Sequence, residues 1–238
     1  MKKYIFLIFI LFSSLYANEF SVNPSFQGYT GVINTPNAQL IKEGHMQLHL
    51  NNQFDNSIIA YDYNRYHRYQ EDYIVGFGLF SFMEIDGRLS EARGFHRDLS
   101  ANVKFKLPYH HKYLPNIAFG IQDLGGAANY YDNKYIVIDK ELWKLRASVG
   151  YGHSTPEYKS RKRMDGVFGS VEFQATSYLY LMAENDTKEN HVALRLEMPK
   201  SWLEFLNARV TISRNITNSE TSYGKYASQL SPYGRWRR

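Results

Sequence analysis

Few residues in this chain have the types and spacing that catalysis demands. His153-Ser154 puts a base beside a nucleophile, two of the three groups an acyl hydrolase needs. The step lies at the end of a strand-like segment, where neighbouring residues point to opposite faces, and spacing fixes no acid beside it. His110-His111 follows Pro108 and offers two imidazoles, but no third ligand stands at a useful distance along the chain. The sequence has no cysteine, and no phosphate loop or dinucleotide fingerprint. These features predict no catalytic residue, no metal and no cofactor, hence a non-enzyme. What remains is charge. Lys159, Arg161, Lys162 and Arg163 form a basic stretch, while Glu84, Asp86, Lys104 and Lys106 alternate with apolar neighbours.

The chain opens Met1-Lys2-Lys3, continues with an apolar run from Tyr4 to Phe12, and reaches Ala17 through Ser13-Ser14-Leu15-Tyr16. A basic start, a short apolar middle and a small residue predict a secretory signal peptide over residues 1–17, cleaved after Ala17. The run is shorter than the roughly 20 residues of a permanent transmembrane helix. With no cysteine after the cut, neither a lipid anchor nor a disulfide is expected, so an exported chain must rely on a packed core or on a closed sheet in a membrane. The formal net charge of +5 is small, and a solvated surface accounts for most of it. On an exported protein the basic stretch points to lipopolysaccharide or an acidic glycan, not to nucleic acid.

The elements that would position these residues are strands. Met46, Leu48 and Leu50 oppose Gln47, His49 and Asn51, and Leu99, Ala101, Val103 and Phe105 oppose Ser100, Asn102, Lys104 and Lys106. The same period of two recurs around 145–152, 191–198 and 208–213. It predicts strands near 44–54, 72–80, 83–92, 98–107, 115–123, 133–140, 144–153, 166–174, 177–184, 190–198, 207–215 and 221–230. Most have the nine or ten residues, roughly, that cross an outer membrane when tilted. Short connections at Ser81-Phe82, Glu141–Trp143 and Ala175-Thr176 alternate with long polar ones at Asp55–Glu71, Leu124–Asp132 and Ser154–Asp165. Residues 199–206 read either as one helical turn or as a plain connector. Aromatic residues, among them Phe80, Phe82, Trp143, Tyr178 and Trp202, fall at strand ends, as interface belts require. The prediction is an all-β fold: a single antiparallel outer-membrane β-barrel of about 10–12 strands over residues 44–230. A basic tail would follow at 231–238. A soluble periplasmic β-protein is the alternative fold.

Several stretches go beyond alternation: Gly28-Tyr29-Thr30-Gly31-Val32-Ile33-Asn34-Thr35-Pro36, then Leu114–Gly126 with Gly120-Ile121-Gln122-Asp123-Leu124-Gly125-Gly126, then Tyr135–Lys140 and Gly166–Phe173. In this order, from Gly28 to Met198, the chain resembles the YjbH-like outer-membrane proteins. That resemblance implies a non-catalytic barrel in the Gram-negative cell outer membrane that assists exopolysaccharide or capsule export or assembly. Its expected partners are outer-membrane lipid and lipopolysaccharide, with polysaccharide or export-machinery proteins. The chain differs from the members it resembles in having no acylatable cysteine, in having room for one barrel instead of two, and in ending Trp236-Arg237-Arg238. The competing function is a small structural barrel or narrow porin with no dedicated glycan.

Two expectations concern the barrel's faces. Val103, Phe105, Leu145, Val149, Leu194 and Leu196 should point to lipid while their polar neighbours line the lumen. A hairpin loop centred near Phe95 would set Glu84 opposite Lys106 and Asp86 opposite Lys104, giving lumenal ion pairs. Residues 18–43 form a lead-in whose glycines Gly28 and Gly31, with Asn34 and Pro36, favour turns. It reads equally as a periplasmic lead-in or as a segment folded into the lumen, where it would narrow any pore.

Overall fold

A computed structural model of the chain describes residues 20–53, 70–92, 96–109, 111, 113–125, 131–155, 163–198, 208–217 and 226–235. The strands are β1 (His45–Gln53), β2 (Gln70–Phe80), β3 (Met83–Ala92), β4 (His96–Lys106), β5 (Asn116–Leu124), β6 (Asn133–Leu142), β7 (Leu145–Ser154), β8 (Gly166–Gln174), β9 (Leu179–Asn185), β10 (Asn190–Glu197), β11 (Arg209–Asn215), β12 (Tyr226–Ser231) and β13 (Tyr233–Arg235). Each pairs antiparallel with its neighbour in sequence, and β1 pairs with both β12 and β13, which closes the sheet into a barrel.

The two last segments are one strand. Leu50 faces Leu230 and Met46 faces Gly234, a single unbroken register along β1. Leu48 N donates to Pro232 O at 3.1 Å, but the return bond of that pair lacks a donor because proline has no N–H. The barrel therefore has twelve staves and runs on to Arg235, five residues beyond the boundary expected at 230 and into the expected tail. Residues 1–19, with the expected signal peptide and its expected cleavage site at Ala17, lie outside the described residues, as do 199–207 and 236–238.

The faces follow the period-two reading. Gln47, His49 and Asn51 are buried inside, while Leu48 is 44% and Leu50 49% exposed. Leu145, Val149, Leu194 and Leu196 are exposed on the outer wall. Val103 and Phe105 share that face, half-buried by their neighbours, with the Phe105 ring stacked on Phe119 at 5.5 Å. Apolar out and polar in is the reverse of a soluble protein and the pattern of a barrel in lipid. The soluble alternative does not fit it. Phe80 and Phe82 stack at the short-turn end, where Trp143 and Tyr178 are also exposed.

Candidate functional site

The interior is filled by the chain's own lead-in. From Asn23 to Ala38 every residue is buried, although the segment has no strand beyond the isolated bridges Pro24–Thr30 and Gly31–Pro36. It folds back on itself through turns: Ser25 N donates to Tyr29 O at 2.9 Å, Phe26 N to Ile33 O at 2.7 Å, and Val32 N to Thr35 O at 2.9 Å. Gly28 has φ +113°, and a side chain there would run into the Asp86 carboxylate. At Gly31 it would meet the Thr35 carbonyl. Asn34 and Pro36 complete the turn, so the four residues singled out in this segment all sit inside the barrel wall.

An irregular segment away from water leaves backbone groups that something must satisfy. The wall divides this work by charge. Carboxylates take the N–H groups: Glu84 accepts from Thr30 N at 2.9 Å and Ile41 N at 2.8 Å. Asp139 accepts from Ala38 N at 2.9 Å. Glu184 accepts from Ile33, Asn34 and Thr35 N at 3.0, 2.7 and 3.1 Å. Cations and amides take the carbonyls. Lys104 Nζ donates to Thr30 O at 2.7 Å, and Arg195 Nη2 to Val32 O at 2.7 Å and Pro24 O at 3.2 Å. Asn51, Asn102 and Gln229 donate to Phe26 O, Gln27 O and Ser25 O.

Apolar contacts finish the plug. Tyr29 and Ala38 pack with Val137, Met164 and Phe168, while Phe26, Val32 and Ile33 pack with Met182 and Ala193. Burial first, then nearby Glu184 and Asp86, pushes the Tyr29 phenol well above its usual range, so it stays a neutral donor to Asn34 O at 2.7 Å.

Lumenal ion pairs are present, in a register different from the expected one. Glu84 faces Lys104, and Asp86 faces Asn102. Glu84 Oε1 lies 3.0 Å from Lys104 Nζ, with both side chains buried. Asp86 accepts from Asn102 Nδ2 at 2.6 Å, and Lys106 Nζ reaches Gln39 Oε1 at 3.5 Å. The expected Glu84–Lys106 and Asp86–Lys104 pairs are therefore corrected by two residues. A slip of two keeps every side chain on its face and changes only its partner. Alternation alone could not settle it.

Sequence reasoning missed the second network. Arg146 lies 3.0 Å from Glu172 and 2.5 Å from Glu141, and Arg195 lies 3.3 Å from the other Glu172 oxygen. Arg146, Glu172 and Arg195 alternate as expected along their strands, but the contacts between β7, β8 and β10 carry no local signal; Glu141, expected in the turn, extends β6 and faces Arg146 across the hairpin. The histidine candidates come apart. His153 points out, 3.4 Å from Asp165, while Ser154 points in and donates to Asp132 O at 2.9 Å. His111 Nδ1 accepts from Tyr113 N at 3.3 Å; His110 lies outside the described residues, as does most of the basic stretch.

Within the Gly120–Gly126 stretch, Gln122 and Asp123 also serve the lumen. Gln122 Nε2 donates to Gln27 Oε1 at 3.2 Å, and Asp123 accepts from Tyr131 N at 2.6 Å. The family described as exopolysaccharide biosynthesis protein YbjH matches residues 24–192, from inside the plug into β10. The chain belongs to the YjbH family. No curated protein matches it in sequence. Among solved structures, a KdgM porin is similar with a TM-score of 0.50 at 9% identity, covering 81% of this chain and 99% of that one. The outer membrane phospholipase A of Escherichia coli has a TM-score of 0.45 at 9% identity, covering 81% and 96%. At such identities the likeness to the porin concerns the fold alone, an outer-membrane barrel. This YjbH-family barrel fills its lumen with its own N-terminal segment.

Proposed function

We propose that this protein sits in the Gram-negative outer membrane as a closed barrel and assists the export or assembly of an exopolysaccharide. It does so through its long loops and partner proteins, not through an open pore and not by catalysis. Membership of a family tied to exopolysaccharide biosynthesis supports the glycan. The observation that carries the closed-barrel reading is the buried segment Asn23–Ala38, hydrogen-bonded to Glu84, Asp139 and Glu184 around the wall. A small cavity beside it, lined by Gln27, Asn34, Gln122, Asn133, Arg163 and Asp186, has room for about one water. A polymer would meet the loops before it met any channel.

Two measurements test this. In planar bilayers the purified protein is expected to show no lasting large conductance. The Glu184→Gln/Asp139→Asn variant, which weakens the plug's anchors, is expected to flicker open. A large, stable wild-type conductance would favour the small-porin reading. In cells, deletion of the gene is expected to lower surface polysaccharide, with restoration by the wild-type gene; unchanged yield would refute the glycan role.

A further inference from the structure

One cluster at the long-loop end takes no part in holding the plug's backbone. The connection from β9 to β10 carries Asp186 and Glu189, and His191 follows on β10. Asp186 Oδ1 accepts the backbone N–H of Lys188 at 3.0 Å and of Glu189 at 2.7 Å. That fixes the carboxylate and leaves Oδ2 turned towards its neighbours. His191 Nε2 lies 3.5 Å from Asp186 Oδ2 and 3.7 Å from Glu189 Oε2, and the three atoms lie within 4.8 Å of one another. All three atoms are buried and make no hydrogen bond; His191 itself is 6% exposed. Arg163 stands behind the carboxylates at 3.8 and 3.6 Å, close enough for attraction and too far for a hydrogen bond.

Buried polar atoms that meet their neighbours only at 3.5–3.8 Å, beyond good hydrogen-bond range, are uncommon, and three that converge on one point leave room for a shared partner. We propose that Asp186, Glu189 and His191 form a three-ligand site for a divalent transition metal, with Zn²⁺ the best fit. Ligands about 2.1 Å from a tetrahedral zinc stand about 3.4 Å apart, close to the two His191 distances. An imidazole with two carboxylates suits zinc and its neighbours in the first row; calcium and magnesium prefer oxygen alone and more of it. Arg163 supplies positive charge to the same two carboxylate oxygens, so it competes with the cation for them.

The site would act as a clasp. Asp186 O accepts from Met164 N at 2.8 Å, and Met164 Sδ meets the Tyr29 hydroxyl at 3.7 Å, which links the ligands to the plug. The inference stands whether or not the exopolysaccharide reading holds.

The test uses untagged full-length protein, folded in detergent, stripped with a chelator and then titrated with Co²⁺ and Zn²⁺. The wild type is expected to bind one equivalent, with Co²⁺ giving the intense visible bands of a tetrahedral site. His191→Gln and Asp186→Asn are expected to bind at least tenfold more weakly. Arg163→Gln should bind several-fold more tightly, a gain that misfolding does not produce. Heat-modifiable gel migration checks that each variant is folded. No stoichiometric metal in either wild type or Arg163→Gln would overturn the site. So would affinity that survives both ligand substitutions, which would place the metal at other histidines, or binding of Ca²⁺ alone.

Discussion

Lys104 and Glu84 each do two things at once: they neutralise one another at 3.0 Å, and they grip opposite sides of the same plug residue, Thr30. Removing one partner leaves a charge buried without compensation. Lys104→Met is therefore expected to cost about 3–5 kcal/mol, read as a lower urea midpoint of the detergent-folded protein. The double variant Glu84→Gln/Lys104→Met should recover part of that loss, because no lone charge remains; a double variant worse than the single one would contradict this account. Individual side chains were partly legible in the sequence. Alternation told which way Glu84, Lys104, Arg146 and Arg195 point. It could not tell that Glu184 collects three N–H groups from residues about 150 positions earlier, nor that Asp186, Glu189 and His191 converge, since both depend on folding in three dimensions.

Among the elements, the strands were the easiest to read, because a one-residue error in phase would have put charges into lipid. All twelve expected segments correspond to staves. The β3–β4 register was harder. Ala92 pairs with His96, so the hairpin is centred one residue earlier than expected, and both centres keep the same faces. The lead-in, lacking any period, left its two readings level until its burial decided between them. The outward face makes its own prediction. Leu194 sits mid-strand and 53% exposed on β10, where Leu194→Arg should destabilise the barrel in bilayers by about 2–4 kcal/mol. The same substitution at Leu142, exposed at a short turn, should cost far less. Equal costs in lipid-vesicle unfolding titrations would mean that β10 does not cross the hydrocarbon.

At the scale of the molecule, the plug's partners span the whole chain. Phe26 is held from β1, Ile33 from β9 and Ser25 from β12. The last of these bonds joins residues 204 apart in sequence. Contacts so distant carry a large loop-closure entropy and form late. The lead-in thus cannot dock in full until β12 has closed against β1, and a barrel already closed would have to admit it through its end. Docking and closure are expected to be one kinetic event. During refolding into micelles, protection of residues 20–41 from protease should rise at the same rate as the heat-modifiable band; protection that lags would separate the two steps. The order of synthesis then runs against the order of completion, for the segment made before any stave is among the last to find its place. Until the final strand arrives the nascent protein has an open, highly charged groove and a loose lead-in of mixed polar and apolar residues that fits it, a state in which holding the two apart matters more than bringing them together.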